Sequence, residues 1–343
     1  MLLAALAMVS QQAAPIQITP AKQVPALRPI AFAPAPTGSK FVASMEDGSV
    51  RILDAKTGQT VRSLATHPQP AYAVGWSQDG RFIATGDESA RVWVENALTG
   101  EKMREFRTHT RGVQKLSFNI GRTLLITTGR DDAIHVLDLN STKPKEVRSI
   151  LGSGANFYGA TFNPRSLVEF ATATLTIGGA REYDAMSGKP SGLLTGHDAQ
   201  GALAVAYNPA ATRIASGGKD GNVALYDGAT LKRIATFKGH GDWVMDLAFS
   251  PNGRLLATSS TDQTVKVWDT KAMRKVADIP QQSFVGSPVC FTADGTTLVT
   301  VSDQGYLQYN KVNPHQVPEV TKAPVKKPTP VKKSNPVKKR GKG

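Results

Sequence analysis

The chain predicts an all-β fold: a seven-bladed β-propeller of four-stranded antiparallel blades, its ring closed by the N-terminal strand. Three observations carry this. An aromatic strand residue recurs at Phe32, Trp76, Phe118, Phe162, Tyr207, Phe249 and Phe291, in steps of 44, 42, 44, 45, 42 and 42 residues. One four-stranded blade takes roughly 40–45 residues. Between these marks the apolar residues alternate as in half-buried strands, and no window shows the period of about 3.6 that a helix needs. The 31 glycines and 21 prolines fall largely between the apolar runs and mark turns.

Taken in order, unit one reads RPIAFAPAPTGSKFVASMEDGSVRILD and unit two Thr66-His67 followed by YAVGWSQDGRFIATGDESARVWV. Unit three has Thr108-His109 before VQKLSFNIGRTLLITTGRDDAIHVLD, and unit four, FYGATFNPRSLVEFATATLTIGGAREYD, is the degenerate one. Unit five has Gly196-His197 before ALAVAYNPAATRIASGGKDGNVALYD. Unit six is the clearest. Trp243–Phe249 alternates as an inner strand, Ser250 to Gly253 is a turn, Arg254–Ser259 is a second strand, Thr261 to Gln263 a turn and Val265–Asp269 a third strand. Arg274–Ile279 is then expected to be the outer strand of the neighbouring sheet. Unit seven, PVCFTADGTTLVTVSDQGYLQYN, has no room for an outer strand before Asn313-Pro314. Ile16 to Thr19, ahead of unit one, is predicted to fill that place, which locks both chain ends into one sheet and removes an open edge.

In six units an aspartate precedes the penultimate residue of the third strand by six positions: Asp47/Leu53, Asp87/Trp93, Asp131/Leu137, Asp220/Tyr226, Asp262/Trp268 and Asp303/Tyr309. Unit four has Ile177 before Tyr183 instead. This pattern resembles the WD-repeat β-propeller family over about residues 14–312. In that family the Gly-His histidine, a strand Ser/Thr, the turn Asp and the Trp form a hydrogen-bonded tetrad within each blade. The resemblance implies a complete set in unit six: His240, Thr258, Asp262 and Trp268. It implies His197, Ser216 and Asp220 in unit five, with Tyr226 for Trp. Unit three would have His109, Thr127 and Asp131, with Leu137 unable to supply an indole N–H. Units one, four and seven lack the histidine and are expected to rely on packing more than on polar networks. A turn carboxylate that accepts N–H bonds and orients an imidazole satisfies groups that are costly to bury unpaired.

Catalytic chemistry finds little support. A Ser/Thr–His–Asp set resembles a triad on paper, yet it recurs from blade to blade, and a structural role is expected. The lone Cys290 excludes an intramolecular disulfide and lies in a predicted inner strand, where it reads as a small buried hydrophobe rather than a nucleophile. No metal set is expected, because His67, His109, His197 and His240 occupy one repeat position on different blades. Glycine pairs such as Gly178-Gly179 and Gly217-Gly218 are turn residues, not phosphate cradles. No catalytic residue, cofactor or metal is assigned.

Charge is unevenly placed. Of the net +14, eight charges sit in residues 314–343, where nine lysines and arginines face only Glu319. The Pro-Val-Lys-Lys unit begins at Pro324, Pro330 and Pro336 and sets out Lys326, Lys327, Lys332, Lys333, Lys338, Lys339 and Arg340. Proline at that density predicts an extended, disordered basic tail for residues 314–343. It is suited to sequence-blind attachment to a polyanion, without the aromatics that base stacking needs. At the other end, the apolar run Leu2 to Val9 is far shorter than the roughly 20 residues of a membrane span. It reads as the core of a signal peptide over residues 1–13, which predicts export to the periplasm or exterior. Because no Lys or Arg precedes it, a frayed cytoplasmic terminus stays open. Residues 14–313 are assigned to the propeller.

Binding is expected on the face rimmed by the loops that enter the innermost strands and by the residues before the turn aspartates. Aligning on the aromatic column puts Arg28, Tyr72, Gln114, Tyr158, Leu203, Met245 and Ser287 at one rim position. Glu46, Gly86, Arg130, Thr176, Lys219, Thr261 and Ser302 take the other. Trp, Tyr, Met and Arg are enriched at interfaces, so Trp243, Met245, Tyr158, Tyr72, Arg28, Arg130 and Lys219 are selected as the docking face. The chain is accordingly expected to be a monomeric, non-enzymatic scaffold that binds another protein there. One alternative is a tether acting through its tail on nucleic acid or a cell-envelope polymer. The other is a propeller enzyme or sugar-binding propeller with a site at the central channel, for which Glu46 is the only acid on the assigned rim.

Overall fold

The computed structural model describes residues 16–24, 28–141, 143–152, 154, 157–175, 179–281 and 288–313. The residues read as a leader and as a basic tail lie outside this set, as do Thr176, Ile177 and Ser287. Among the described residues there are seven four-stranded antiparallel sheets and no helix. Blades one to six each take four consecutive strands from the innermost outward, as in Val244–Phe249, Leu255–Ser260, Thr264–Asp269 and Arg274–Pro280 of blade six.

The seventh blade uses both ends of the chain. Cys290–Phe291, Thr297–Val301 and Leu307–Val312 are its three inner strands, and Ile18–Val24 is the outermost. Ile18 pairs with Val312 and Val24 with Leu307, with an irregularity between Pro20 and Lys22. The closing strand therefore starts two residues later than expected and extends further.

Two expectations need correction. Arg274–Pro280 pairs with Thr264–Asp269 of its own sheet, not with a neighbour, because only four residues connect the two strands and that length closes a hairpin. The aromatic column slips in blade one. Pro34 pairs with Phe41 as Phe249 pairs with Leu256, so Pro34 holds the column position and Phe32 lies two residues before it. Arg28 therefore corresponds to Trp243, not to Met245.

Hydrophobic packing lies between blades. Each of seven core clusters combines residues of two neighbouring blades, and the ring-closing one packs Phe41, Met45 and Leu53 of blade one against Cys290, Val299, Leu307 and Tyr309 of blade seven. Cys290 is 2% exposed, and burial raises its thiol pKa well beyond the usual range. Close approach at the blade junctions also explains two glycines. Gly48 and Gly221 sit at positive φ in turns, where a Cβ would meet the carbonyl oxygens of His67 and His240 in the loop leading to the next blade.

Candidate functional site: buried tetrads and the loop face

In blade six, His240 Nδ1 lies 2.9 Å from Asp262 and Nε2 lies 2.8 Å from Thr258 Oγ1, while Trp268 Nε1 donates to the same hydroxyl at 2.9 Å. An ionised carboxylate only accepts, so Nδ1 carries the imidazole proton and Nε2 accepts from Thr258. The chain of bonds runs indole N–H to hydroxyl to imidazole to carboxylate. Asp262 also accepts from Gly241 N and from Thr264. Blade five repeats this with His197, Ser216 and Asp220, and Tyr226 OH bonds Ser216 at 3.0 Å in place of the indole. Blade three has His109, Asp131 and Thr127, and Leu137 contributes apolar packing only.

Thr258, Ser216 and Thr127 are fully buried, so no substrate can reach these hydroxyls. Burial pushes His109 and His240 below their ordinary pKa of 6.5, against the pull of their aspartates. Burial opposes ionisation of the aspartates too. Bonds from His197 and Asn222 outweigh it at Asp220 and bring its pKa to about 2.

Blade two was not singled out from sequence, yet it holds a set of the same kind. His67 is 2.9 Å from Asp87 and 2.7 Å from Thr85, and its ring stacks on Trp93 at 3.9 Å. Blade seven lacks a histidine but is not held by packing alone. Asn310 donates to Thr300 Oγ1 and to the Leu298 carbonyl, and accepts from Gln308. An amide network there replaces the ionisable one.

The loop face is tied together by one repeated backbone bond. The N–H of Glu46, Glu88, Arg130, Lys219 and Thr261 donates to the carbonyl of Arg28, Pro70, Gly112, Gly201 and Trp243, respectively. In blade two this residue is Glu88 rather than Gly86, because its hairpin is shorter. Two selected pairs come together across blade boundaries. Lys219 Nζ lies 4.2 Å from the ring centre of Trp243, which is 40% exposed, and the Arg130 guanidinium lies 5.2 Å from the Tyr72 ring. Arg130 also bridges to Glu88 at 2.7 Å, while Arg28 faces Glu46 of its own blade at 3.9 Å. Tyr158 and Met245 are half-buried at β-bulges of their innermost strands.

The sequence reading missed a pair at the centre. Lys115 Nζ lies 3.0 Å from Asp246 Oδ1, although the two belong to innermost strands of blades three and six. Strands three blades apart can meet this way only across the central channel. Asp246 Oδ2 also accepts from Val289 N at 3.2 Å. A usable signal existed. Three positions before each column residue stand Ala31, Ala73, Lys115, Gly159, Ala204, Asp246 and Pro288, so two opposite charges occur among small or apolar residues.

Comparison with known proteins fits this geometry. The WD40 model (WD domain, G-beta repeat) matches residues 58–94, 188–227 and 231–269. These stretches end in blades two, five and six, whose histidine sets include an aromatic partner. Eukaryotic translation initiation factor 3 subunit I of Candida glabrata is 25% identical over 229 residues, 56% of this chain and 63% of that protein. The subunit I of Coccidioides immitis is 28% identical over 200 residues, 52% of this chain and 56% of that protein. That of Vanderwaltozyma polyspora is 32% identical over 170 residues, 44% and 46% of the two chains. The chain thus spans about half to just under two thirds of these curated relatives. Solved structures of U3-55K and of the RRP9 WD40 repeats superpose with TM-scores of 0.72 and 0.74, at 20% and 19% identity. Each covers 87% of this chain, and 99% and 100% of the solved chain. At that identity they show the fold.

The relatives overturn the expectation of export. They are subunits of a eukaryotic translation initiation factor, and they point to the inside of the cell rather than the periplasm or exterior. No helix among the described residues is long and apolar enough to cross a membrane.

Proposed function

We propose, starting from a chain that is a WD40-repeat β-propeller, that it is a non-enzymatic scaffold which docks another protein on its loop face. The observation that carries this reading is the pair formed by Trp243 and Lys219. An exposed indole, held against an ammonium at the junction of blades five and six, offers a large preorganised contact beside a charge. Tyr72 and Arg130, with Glu88, repeat the arrangement between blades two and three. Met245, Tyr158 and Arg28 complete the face. The buried tetrads fix the loops that carry these residues and perform no chemistry. The channel, crossed by Lys115 and Asp246, is an unfavourable place for an enzyme or sugar site.

The relatives named as subunits of an initiation factor support a partner inside a larger assembly, with this chain contributing one copy. The lysines of residues 326–340 add weak, salt-sensitive attachment to a polyanion such as RNA. Affinity capture on the intact chain, the Trp243→Ala/Lys219→Ala variant and the chain ending at Asn313 tests this. A protein partner lost only in the double variant supports the docking face. Partners lost only with the tail, and released by salt, would move the function to the lysine repeats.

A further inference from the structure

Blade three carries one feature that neither the tetrad nor the loop face uses. On its third strand, opposite Thr127, stands a second histidine, His135. The same register holds Lys266 in blade six and Ala224 in blade five. The His135 ring meets the His109 ring edge-on at 4.3 Å and 89°. One ligand atom each from His109, Asp131 and His135 lies within 4.8 Å of the others.

His135 is only 6% exposed, and its two nitrogens are in unequal positions. Nδ1 lies 2.6 Å from Glu146 Oε1, so it carries a proton and donates. Nε2 is buried and has no hydrogen-bond partner. A buried polar atom left this way is costly. A histidine whose one nitrogen donates to a carboxylate while the other offers a lone pair is also how metal-ligating histidines are oriented. Access exists. A cleft of about 450 Å³, lined by Glu105, Phe106, Arg107, Thr108, Pro144 and Glu146, reaches the carboxylate that holds His135.

We propose that blade three binds a divalent, imidazole-preferring transition-metal ion of the zinc class through His135 Nε2, His109 Nδ1 and the Asp131 carboxylate. The donor set is two imidazoles and one carboxylate, which suits zinc and leaves a fourth position for water. Zinc–nitrogen bonds of about 2.0–2.1 Å place tetrahedral donors roughly 3.3 Å apart. His109 Nδ1 and the Asp131 oxygen, 2.9 Å apart, must then separate slightly as the ion replaces the proton between them, and no two of the three donors start more than 4.8 Å apart. At His109 the proton moves from Nδ1 to Nε2, which then donates to Thr127 Oγ1, so this imidazole stays neutral and releases no proton. Asp131 exchanges a shared proton for the ion, and Asp131 and Glu146 together supply two negative charges against the ion's two positive ones.

The test uses the untagged full chain, stripped with a chelator and titrated with Zn2+, with Mg2+ as the oxygen-preferring comparison. Calorimetry is expected to show one Zn2+ per chain and no matching Mg2+ event, with a higher melting temperature in zinc. Glu146→Gln should weaken zinc about 10–100-fold, because it removes only the orienting carboxylate. His135→Phe, which keeps a ring in the space, should abolish the site. If His135→Phe does not fold, Co2+ absorption of the wild type against Glu146→Gln decides instead. Zinc binding that is absent in the wild type, or unchanged in affinity in these variants, overturns the proposal.

Discussion

Blades two and six contain the same four side-chain types but join them differently. In blade six, Trp268 donates to Thr258 and stacks on Phe237 at 5.0 Å. In blade two, Trp93 Nε1 is buried without a partner, its ring lies flat on His67, and the Lys102 ammonium sits 4.5 Å from it. Hairpin length separates them. Thr258 and Trp268 are ten residues apart, whereas Thr85 and Trp93 are eight. The shorter hairpin changes where the indole stands relative to the hydroxyl, and stacking replaces the hydrogen bond. A motif therefore specifies which groups are present, and the turn specifies how they connect.

Acid should produce the largest departure between wired blades, since it acts on several tetrads together. His109 and His240 have folded pKa values below 6.5, so their unfolded forms bind protons first as pH falls. That stability is fully present above about pH 6.5 and is lost below it. The aspartates work in the same direction at lower pH. Asp220, at about 2 against an ordinary 3.8, keeps its contribution above about pH 4 and loses it as pH falls toward 2. Hydrogen exchange should show blades three and six losing protection at a pH where blade seven, wired by Asn310, Thr300 and Gln308, retains it. Uniform loss across the ring would remove the distinction between ionisable and amide networks.

Removing one carboxylate comes next. Asp262→Ala strips the acceptor from His240, Gly241 and Thr264 and should cost roughly 3 kcal/mol, as expected for a buried network deprived of its centre. Asp47→Ala, at the same repeat position in a blade without the histidine, loses only an exposed bond to Ser49 N and should fall within about 0.5 kcal/mol. Chemical denaturation of the two variants compares them directly. The indoles sharpen the contrast further. Trp268→Phe should cost about 1–2 kcal/mol through the lost bond to Thr258, beyond what Trp93→Phe costs, because Trp93 has no bond to lose. Equal losses would mean that hairpin length does not set the wiring.

Much of this fold is legible because the propeller repeats its physics. Alternation, turn aspartates and the aromatic column each recur, so a weak local signal becomes strong by repetition. The tetrad members of blades three, five and six followed from the resemblance to the WD-repeat family, carried onto positions that recur in each unit. The column slipped only in blade one, where Ala33-Pro34-Ala35-Pro36 leaves the strand end without an aromatic and Phe32 was the nearest substitute. Contacts set by three dimensions were harder to read. His135 stands beside His109 because a hairpin register places it there, and Lys219 meets Trp243 only across a blade boundary. The extended partner face depends on which loops are exposed, and no spacing in the chain encodes exposure.

The smallest expected effect concerns the pair across the channel, where position rather than strength matters. Lys115 and Asp246 have side chains 34% and 17% exposed, so solvent screens their attraction, and a coupling of about 1 kcal/mol is expected from a double-mutant cycle of Lys115→Met and Asp246→Asn. Asp246→Asn should be the costlier single change, since that carboxylate also accepts the Val289 N–H beside the short innermost strand of blade seven. One carboxylate thus connects blades three, six and seven at the axis. A measurable coupling means that the channel is stapled shut and that binding belongs to the loop face. Zero coupling would mean that the two groups meet without holding each other, and the channel would return as a place for a ligand.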